Sequence, residues 1–231
     1  MKGTVILPCL NEGNTVKNII KEIKLVSKQL NIELFIIAIN DASTDNSATK
    51  LKDADKIIEI KKRISLANVI KLGLQESKKI NPDFIIHIDA DGQHNPKYIP
   101  DLIKPILDKK ADFVIGSRYL NNTNNKNLKY YANKIFTRFV NLITKLNLTD
   151  SQSGFRALSK KVFKNMNLIS NYTYTHEEIL FAKKNKLKIL EIPIKVKPRK
   201  FGKSKIAKNI VKYAIYTIYD IIKIKWIFYK K

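Results

Sequence analysis

Large apolar residues fall along the first half of the chain in short runs, separated by stretches where they recur at helical spacing. Thr4 to Leu7, Leu34 to Ile39, Ile57 to Ile60, Phe84 to Ile88 and Ala111 to Ile115 have the length and composition of strands buried on both faces. Pro8 is expected to end the first of them. Between the runs, Val16, Ile19, Ile20, Ile23 and Val26 share a helical face behind the candidate caps Asn14 and Thr15. Ser43 or Thr44 opens a short helix to Leu51, and Ser65 to Ser77 forms another with Leu66, Val69, Ile70 and Leu74 inward. Pro96 to Leu107 is a further helix with proline at its start. Strand alternating with helix predicts an α/β fold, Rossmann-like, with a doubly wound, mostly parallel sheet.

The alternation then loosens. After the polar stretch Asn121 to Asn125 comes a helix whose face is read as Ile135, Phe139, Leu142, Ile143 and Leu146. Asp150 to Ala157 reads as loop into strand, His176 to Asn185 as helix, and Leu187 to Ile194 as a strand interrupted near its end by Pro193. A basic loop, Lys195 to Lys205, leads to a final helix over Ile206 to Tyr229 with the stripe Ala207, Ile210, Ala214, Ile218, Ile221 and Ile222. Its longest lysine-free run, Tyr213 to Ile222, contains Asp220 and falls short of the ~20 apolar residues a membrane span needs. An amphipathic helix with Lys223, Lys225 and Trp226 either packs on its own domain or lies in a membrane interface. With no long linker or internal repeat, residues 1–204 are expected to be one catalytic domain and 205–231 a basic amphipathic helix.

Charge narrows the partners. Lysine and arginine outnumber acids 44 to 20, a net charge of +24, and from Lys195 to Lys231 there are 12 basic residues against one acid. Such a balance suits a polyanion: nucleic acid, an anionic membrane, or a phosphorylated small molecule. The chain carries no helix-turn-helix, zinc or RNA-recognition signature, so nucleic acid is set aside. One cysteine, Cys9, and no signal-peptide pattern lead to the expectation of a cytoplasmic protein, and the basic amphipathic tail helix to that of a peripheral place on the cytoplasmic membrane face.

The chemistry concentrates in Asp89-Ala90-Asp91-Gly92-Gln93-His94. A buried strand delivers Asp89 and Asp91 to its carboxyl end, where open α/β sheets bind ligands. Two hard carboxylates two residues apart, with the Gln93 amide beside them, suit Mg²⁺ or Mn²⁺. His94 is read as a turn residue. Arg118, Arg156 and Arg199 are three of five arginines in a chain that otherwise uses lysine, a choice that suits bidentate contacts to phosphate or, for Arg156, a structural ion pair.

Six separated segments, taken in order, resemble the family-2 glycosyltransferases of the GT-A fold, and among them the dolichyl- or polyprenyl-phosphate mannosyltransferases. They are Pro8 to Glu12, Asn40 to Asp45, Asp89 to His94, Gly116 to Arg118, Ser153 to Arg156, and Arg199 to Lys205. The chain departs from the pattern at Leu10, Asn40 and Ala42, the last where glycine is usual. The resemblance implies that Pro8, Leu10, Asn11, Glu12, Asn40, Asp41, Asp89, Ala90 and Asp91 hold a nucleotide-diphosphate sugar, GDP-mannose being favoured. It implies that Asp89, Asp91 and Gln93 hold the metal. Arg118, Arg156, Arg199 and Lys205 are then expected to bind a polyprenyl phosphate acceptor, with Asp91, Arg118 and Arg199 as the catalytic set. A rival within the class uses a UDP-sugar and a glycan hydroxyl, with Glu177 or Glu178 as base.

Overall fold

The computed structural model describes residues 1–121, 128–199 and 210–230. Seven strands form one sheet: β1 (Lys2–Cys9), β2 (Glu33–Asp41), β3 (Lys56–Ile60), β4 (Phe84–His87), β5 (Phe113–Ser117), β6 (Arg156–Ser159) and β7 (Ile189–Pro193). Their order is β3-β2-β1-β4-β6-β5-β7. All pairings are parallel except those of β6, which runs antiparallel between β4 and β5. The helices are α1 (Val16–Leu30), α2 (Ser47–Lys50), α3 (Leu66–Ile80), α4 (Ile99–Leu107), α5 (Leu128–Thr144), α6 (Lys160–Phe163), α7 (Tyr174–Lys184) and α8 (Ile210–Tyr229).

Alternate residues of the same strands feed two cores, which is why the strand runs are apolar throughout. Val5, Leu7, Ile36 and Ile86 pack with Ile20 and Ile23 of α1 and Leu102 and Ile103 of α4. Ile6, Ile37, Ile39 and Ile85 pack on the other face with Val69 and Ile70 of α3, Val140 of α5, Leu180 of α7 and Ile221 of α8.

Four expectations are corrected. β1 continues through Pro8 to Cys9, with Pro8 opposite Ile39. The Ile6 carbonyl accepts from Ile88 on the β4 side, so Pro8, two residues on, faces that side beyond the last β4 pairing and costs no ladder bond. On α3, Ser65 caps by accepting from the Asn68 N–H at 3.2 Å, yet Leu66 is exposed and Ala67 is inward. On α5 the inward residues are Asn133, Phe136, Thr137, Val140 and Thr144, while Ile135 and Leu142 are 70% and 77% exposed. On α8, Thr217, Ile221 and Ile224 are buried and Ile218 and Ile222 are exposed. The side chains of Ala207, Ile210 and Ala214 lie outside the described residues. In both helices a threonine on the inner face rotates the true buried stripe away from the one that apolar spacing suggests. Among the described residues no helix is long and apolar enough to cross a membrane.

Candidate active site

The carboxyl ends of β1, β2, β4 and β5 open on one edge of the sheet, and the predicted residues arrive there from four separate loops. The β1 and β2 loops lock together first. The Asn11 N–H donates to Ser43 Oγ at 3.0 Å, Asn11 Oδ1 accepts from the Thr44 N–H at 2.8 Å, and the Glu12 N–H donates to Ser47 Oγ at 2.8 Å. Asn11 and Ala42 both take the left-handed conformation, at φ 57° and 55°. Asparagine tolerates it and alanine does so at a cost of about 1 kcal/mol, the strain left by the absent glycine.

Asp41 is buried and accepts from the Ile64 N–H at 2.8 Å. Asn40, 3% exposed, gives its amide to Glu59 at 2.7 Å and takes the Ser43 N–H at 3.2 Å. Its side chain therefore shapes the loop from behind, which corrects its assignment as a nucleotide contact. The Ala90 side chain is buried and its carbonyl accepts from Thr15 Oγ1 at 2.6 Å, so only its backbone is left to meet a ligand. Pro8 and Leu10 are half-buried, and Asn11 is exposed at the mouth.

Beyond β4 the chain turns tightly. Asp91 Oδ1 accepts from the Gln93 N–H at 3.0 Å, and Gly92 supplies the positive φ of 76° that this turn requires. Asp89 is pushed up to about 7, by burial first and then by the charge of Asp91. A carboxylate raised in this way beside a second acid marks a site short of positive charge. His94 is no exposed turn residue: it is 7% exposed, its ring lies 5.3 Å from Phe155, and its Nδ1 stands 3.8 Å from Asp89 Oδ2 without a hydrogen-bond partner. Burial, followed by Arg118, holds it down at about 4, so it is neutral. Gly154 closes against this group, since a Cβ there would come within 3.1 Å of Asp89 Oδ2.

The donor set fits a hard divalent ion. Among the described residues no three histidine, cysteine, aspartate or glutamate side chains converge on one point. Asp89, Asp91 and the Gln93 amide would therefore leave positions for diphosphate and water, the arrangement Mg²⁺ favours over an all-protein cage. A strap from the segment after β7 crosses the same place. The Lys197 N–H donates to the Gln93 carbonyl at 2.9 Å, and Arg199 pairs with Glu12 and, at 3.4 Å, with Asp91.

The other two arginines part company. Arg118 at the end of β5 keeps 27% of its side chain exposed while Nε and Nη2 fork onto Asp150 at 2.6 and 2.8 Å. Burial opposes its charge, but Asp150 overrides it and holds the guanidinium firmly protonated. Arg156 is fully buried and donates to the carbonyls of Ser151, Ser153 and Thr175 at 2.8, 2.5 and 2.6 Å and to Glu178 at 3.1 Å. With its donors spent inside the protein it reaches no acceptor phosphate, and that assignment is corrected. Lys205 lies outside the described residues. Glu177 and Glu178 are both fully buried. Glu177 accepts from the Ile169 and Ser170 N–H groups at 2.6 and 2.8 Å, and burial pushes Glu178 up to about 7 despite Arg156. Asp150 escaped the sequence reading; an acid at the head of a polar loop carries no signal until the fold sets it against Arg118.

The mostly parallel sheet, with paired carboxylates and a fixed arginine at its carboxyl edge, has the α/β architecture of the GT-A fold. The pattern of Glycosyl transferase family 2 matches residues 4–166, and the chain belongs to that family. It is 31% identical over 215 residues to the UDP-N-acetylglucosamine–dolichyl-phosphate N-acetylglucosaminyltransferase of Methanococcus voltae, a match covering 83% of this chain and 84% of that one. It is 29% identical over 235 residues to the dolichol-phosphate mannosyltransferase of Pyrococcus furiosus, covering 96% of this chain and 64% of that one. The fold matches crystalline glucosyl-3-phosphoglycerate synthase of Mycobacterium tuberculosis with a TM-score of 0.76 at 14% identity, covering 96% of this chain and 79% of that one. Other crystals of that enzyme hold UDP with Mn²⁺ or Mg²⁺.

Proposed function

We propose that this glycosyltransferase moves a sugar from a nucleotide diphosphate onto a polyprenyl phosphate, with inversion at the anomeric carbon and with Mg²⁺ or Mn²⁺ as cofactor. The observation that carries the reading is the contrast between a partly exposed, rigidly held Arg118 and two glutamates that are wholly buried. A sugar hydroxyl needs a general base as it attacks. A phosphate monoester is already ionised near pH 7 and needs orientation instead. Its oxygen forms the new bond to C1 as the bond from C1 to the diphosphate oxygen breaks, and the electron pair leaves with the nucleoside diphosphate. Arg118, with Arg199 as second contact, would fix that oxygen through planar guanidinium forks. Glu12 and Asp41 would face the nucleoside. A divalent ion bound at Asp89, Asp91 and Gln93 would neutralise the diphosphate. The two relatives are named for different sugars, mannose and N-acetylglucosamine, so GDP-mannose and UDP-N-acetylglucosamine are the two donors to compare.

Glu177→Gln tests the rival acceptor. Turnover is expected to stay within about a few-fold, whereas losing a true general base costs about 10²–10⁴. A drop of that size in a folded variant would favour a glycan hydroxyl.

The same reading takes α8 to the membrane. Its outer face shows Ile215, Tyr219, Ile222 and Trp226, which recur every three or four residues and are each more than half exposed. Lys223 and Lys230 lie beside them, Lys230 Nζ standing 4.0 Å over the Trp226 ring. Deleting the helix would uncover Ile221 and Ile224, so the test is Trp226→Ser with Tyr219→Ser. Binding to anionic vesicles should fall about tenfold, the effect of losing ~1.4 kcal/mol of apolar burial. Equal sedimentation of variant and parent would assign the helix to the protein alone.

A further inference from the structure

Asp150 is a fully buried carboxylate 32 residues from the arginine it serves, and it is built into the fold from three directions. Its oxygens accept five N–H groups: the Arg118 backbone at 3.1 Å, Arg118 Nε and Nη2 at 2.6 and 2.8 Å, Asn133 Nδ2 of α5 at 2.9 Å, and the Gln152 backbone at 3.3 Å. Its own N–H donates to Glu191 Oε1 of β7 at 2.8 Å, while Glu191 Oε2 takes the Thr149 N–H at 2.7 Å. The face of the guanidinium is set as well, with Arg118 Cζ lying 5.2 Å from the Tyr119 ring, itself edge-on to Tyr130.

A buried ion pair adds little net stability over apolar residues of the same shape. This one is also lopsided, because the acid is hidden and the arginine keeps 27% of its side chain open. Asp150 engages the Nε–Nη2 edge, which leaves the Nη1–Nη2 edge as the one a phosphate would meet. It also cancels much of the charge that would attract that phosphate. What it supplies is direction.

We infer that Asp150 is a positioning residue for the acceptor, holding the Arg118 fork in the orientation that receives the phosphate. The inference rests on the reading of Arg118 as an acceptor contact. It makes a prediction opposite in sign to one from charge alone: Asp150→Asn raises the net positive charge at the site, yet should weaken acceptor use.

The test is steady-state kinetics of the full chain with Mn²⁺, sugar nucleotide and polyprenyl phosphate, comparing Asp150→Asn, Arg118→Lys and the double variant, with donor affinity titrated separately. Asp150→Asn should lower kcat/KM for the acceptor by about tenfold to a hundredfold, the range for contacts coupled through one ion pair. The donor Kd should hold within about twofold, and the double variant should be no worse than Arg118→Lys, because the two act as a unit. Losses that multiply, an equal loss of donor affinity, or a tighter acceptor KM in Asp150→Asn would overturn the inference. Unchanged acceptor kinetics in Arg118→Lys would instead overturn the reading beneath it. If Asp150→Asn does not fold, Asn133→Ala removes one of the five donors. Its smaller acceptor defect should vanish in the Arg118→Lys background, and a defect that persists there would refute the role.

Discussion

Asp91→Asn is expected to reduce sugar transfer by about a thousandfold or more, the loss of several kcal/mol of leaving-group stabilisation at roughly 1.4 kcal/mol per tenfold. The amide keeps an oxygen for the Gln93 N–H, now 3.0 Å from Asp91 Oδ1, so the turn should survive. It is a poorer ligand for a hard cation than a carboxylate, and its neutral charge no longer opposes that of Arg199. Chelation with EDTA should silence the parent protein to the same degree. Rates from stopped assays in Mn²⁺, read beside thermal unfolding curves, check both points. Near-parental turnover in a folded Asp91→Asn protein would remove the metal from the account.

Arg156→Met should cost about 3–5 kcal/mol of stability, because it strands the Glu178 carboxylate in the interior. At ~2–4 °C per kcal/mol for a chain of this size, the melting temperature should fall by roughly 10 °C. Three carbonyls, those of Ser151, Ser153 and Thr175, lose a donor at the same time. His87 Nδ1, 3.4 Å from Glu178, offers little replacement, since burial, the larger cause that lowers that ring in the parent, remains in the variant and opposes its protonation. Adding Glu178→Gln should restore much of the loss by removing the stranded charge. A single variant that unfolds within about 1 kcal/mol of the parent would show that the pair is dispensable.

The contrast between Arg118 and Arg156 marks where sequence reading stops. Both lie in glycine-containing motifs; composition suits both to phosphate, and for Arg156 it leaves a structural ion pair open, which is what the fold contains. Antiparallel β6 carries Arg156 into the sheet between β4 and β5, and only the fold reveals it as the clamp of the loop that bears Asp150. The strands were legible because burial on both faces leaves uninterrupted apolar runs, and the acids at their ends followed from strand polarity. The inner face of α5 was not, because Asn133 and Thr137 point inward to hold Asp150 and Ser151, and polar residues doing structural work break the apolar period. Pro8 misled for a related reason. A proline ends a strand only where its missing N–H would have had a partner.

The central claim, that the acceptor is a lipid phosphate, is met most directly by supplying radiolabelled GDP-mannose and UDP-N-acetylglucosamine to the full chain with Mn²⁺, offering polyprenyl phosphate vesicles in one arm and free polyprenol or oligosaccharide in the other. The account predicts label in an organic-extractable sugar phosphate lipid from one of the donors, lost on addition of EDTA, with no transfer to the hydroxyl acceptors. Transfer to the polyprenol or the glycan, with the phosphate lipid left unlabelled, would contradict it.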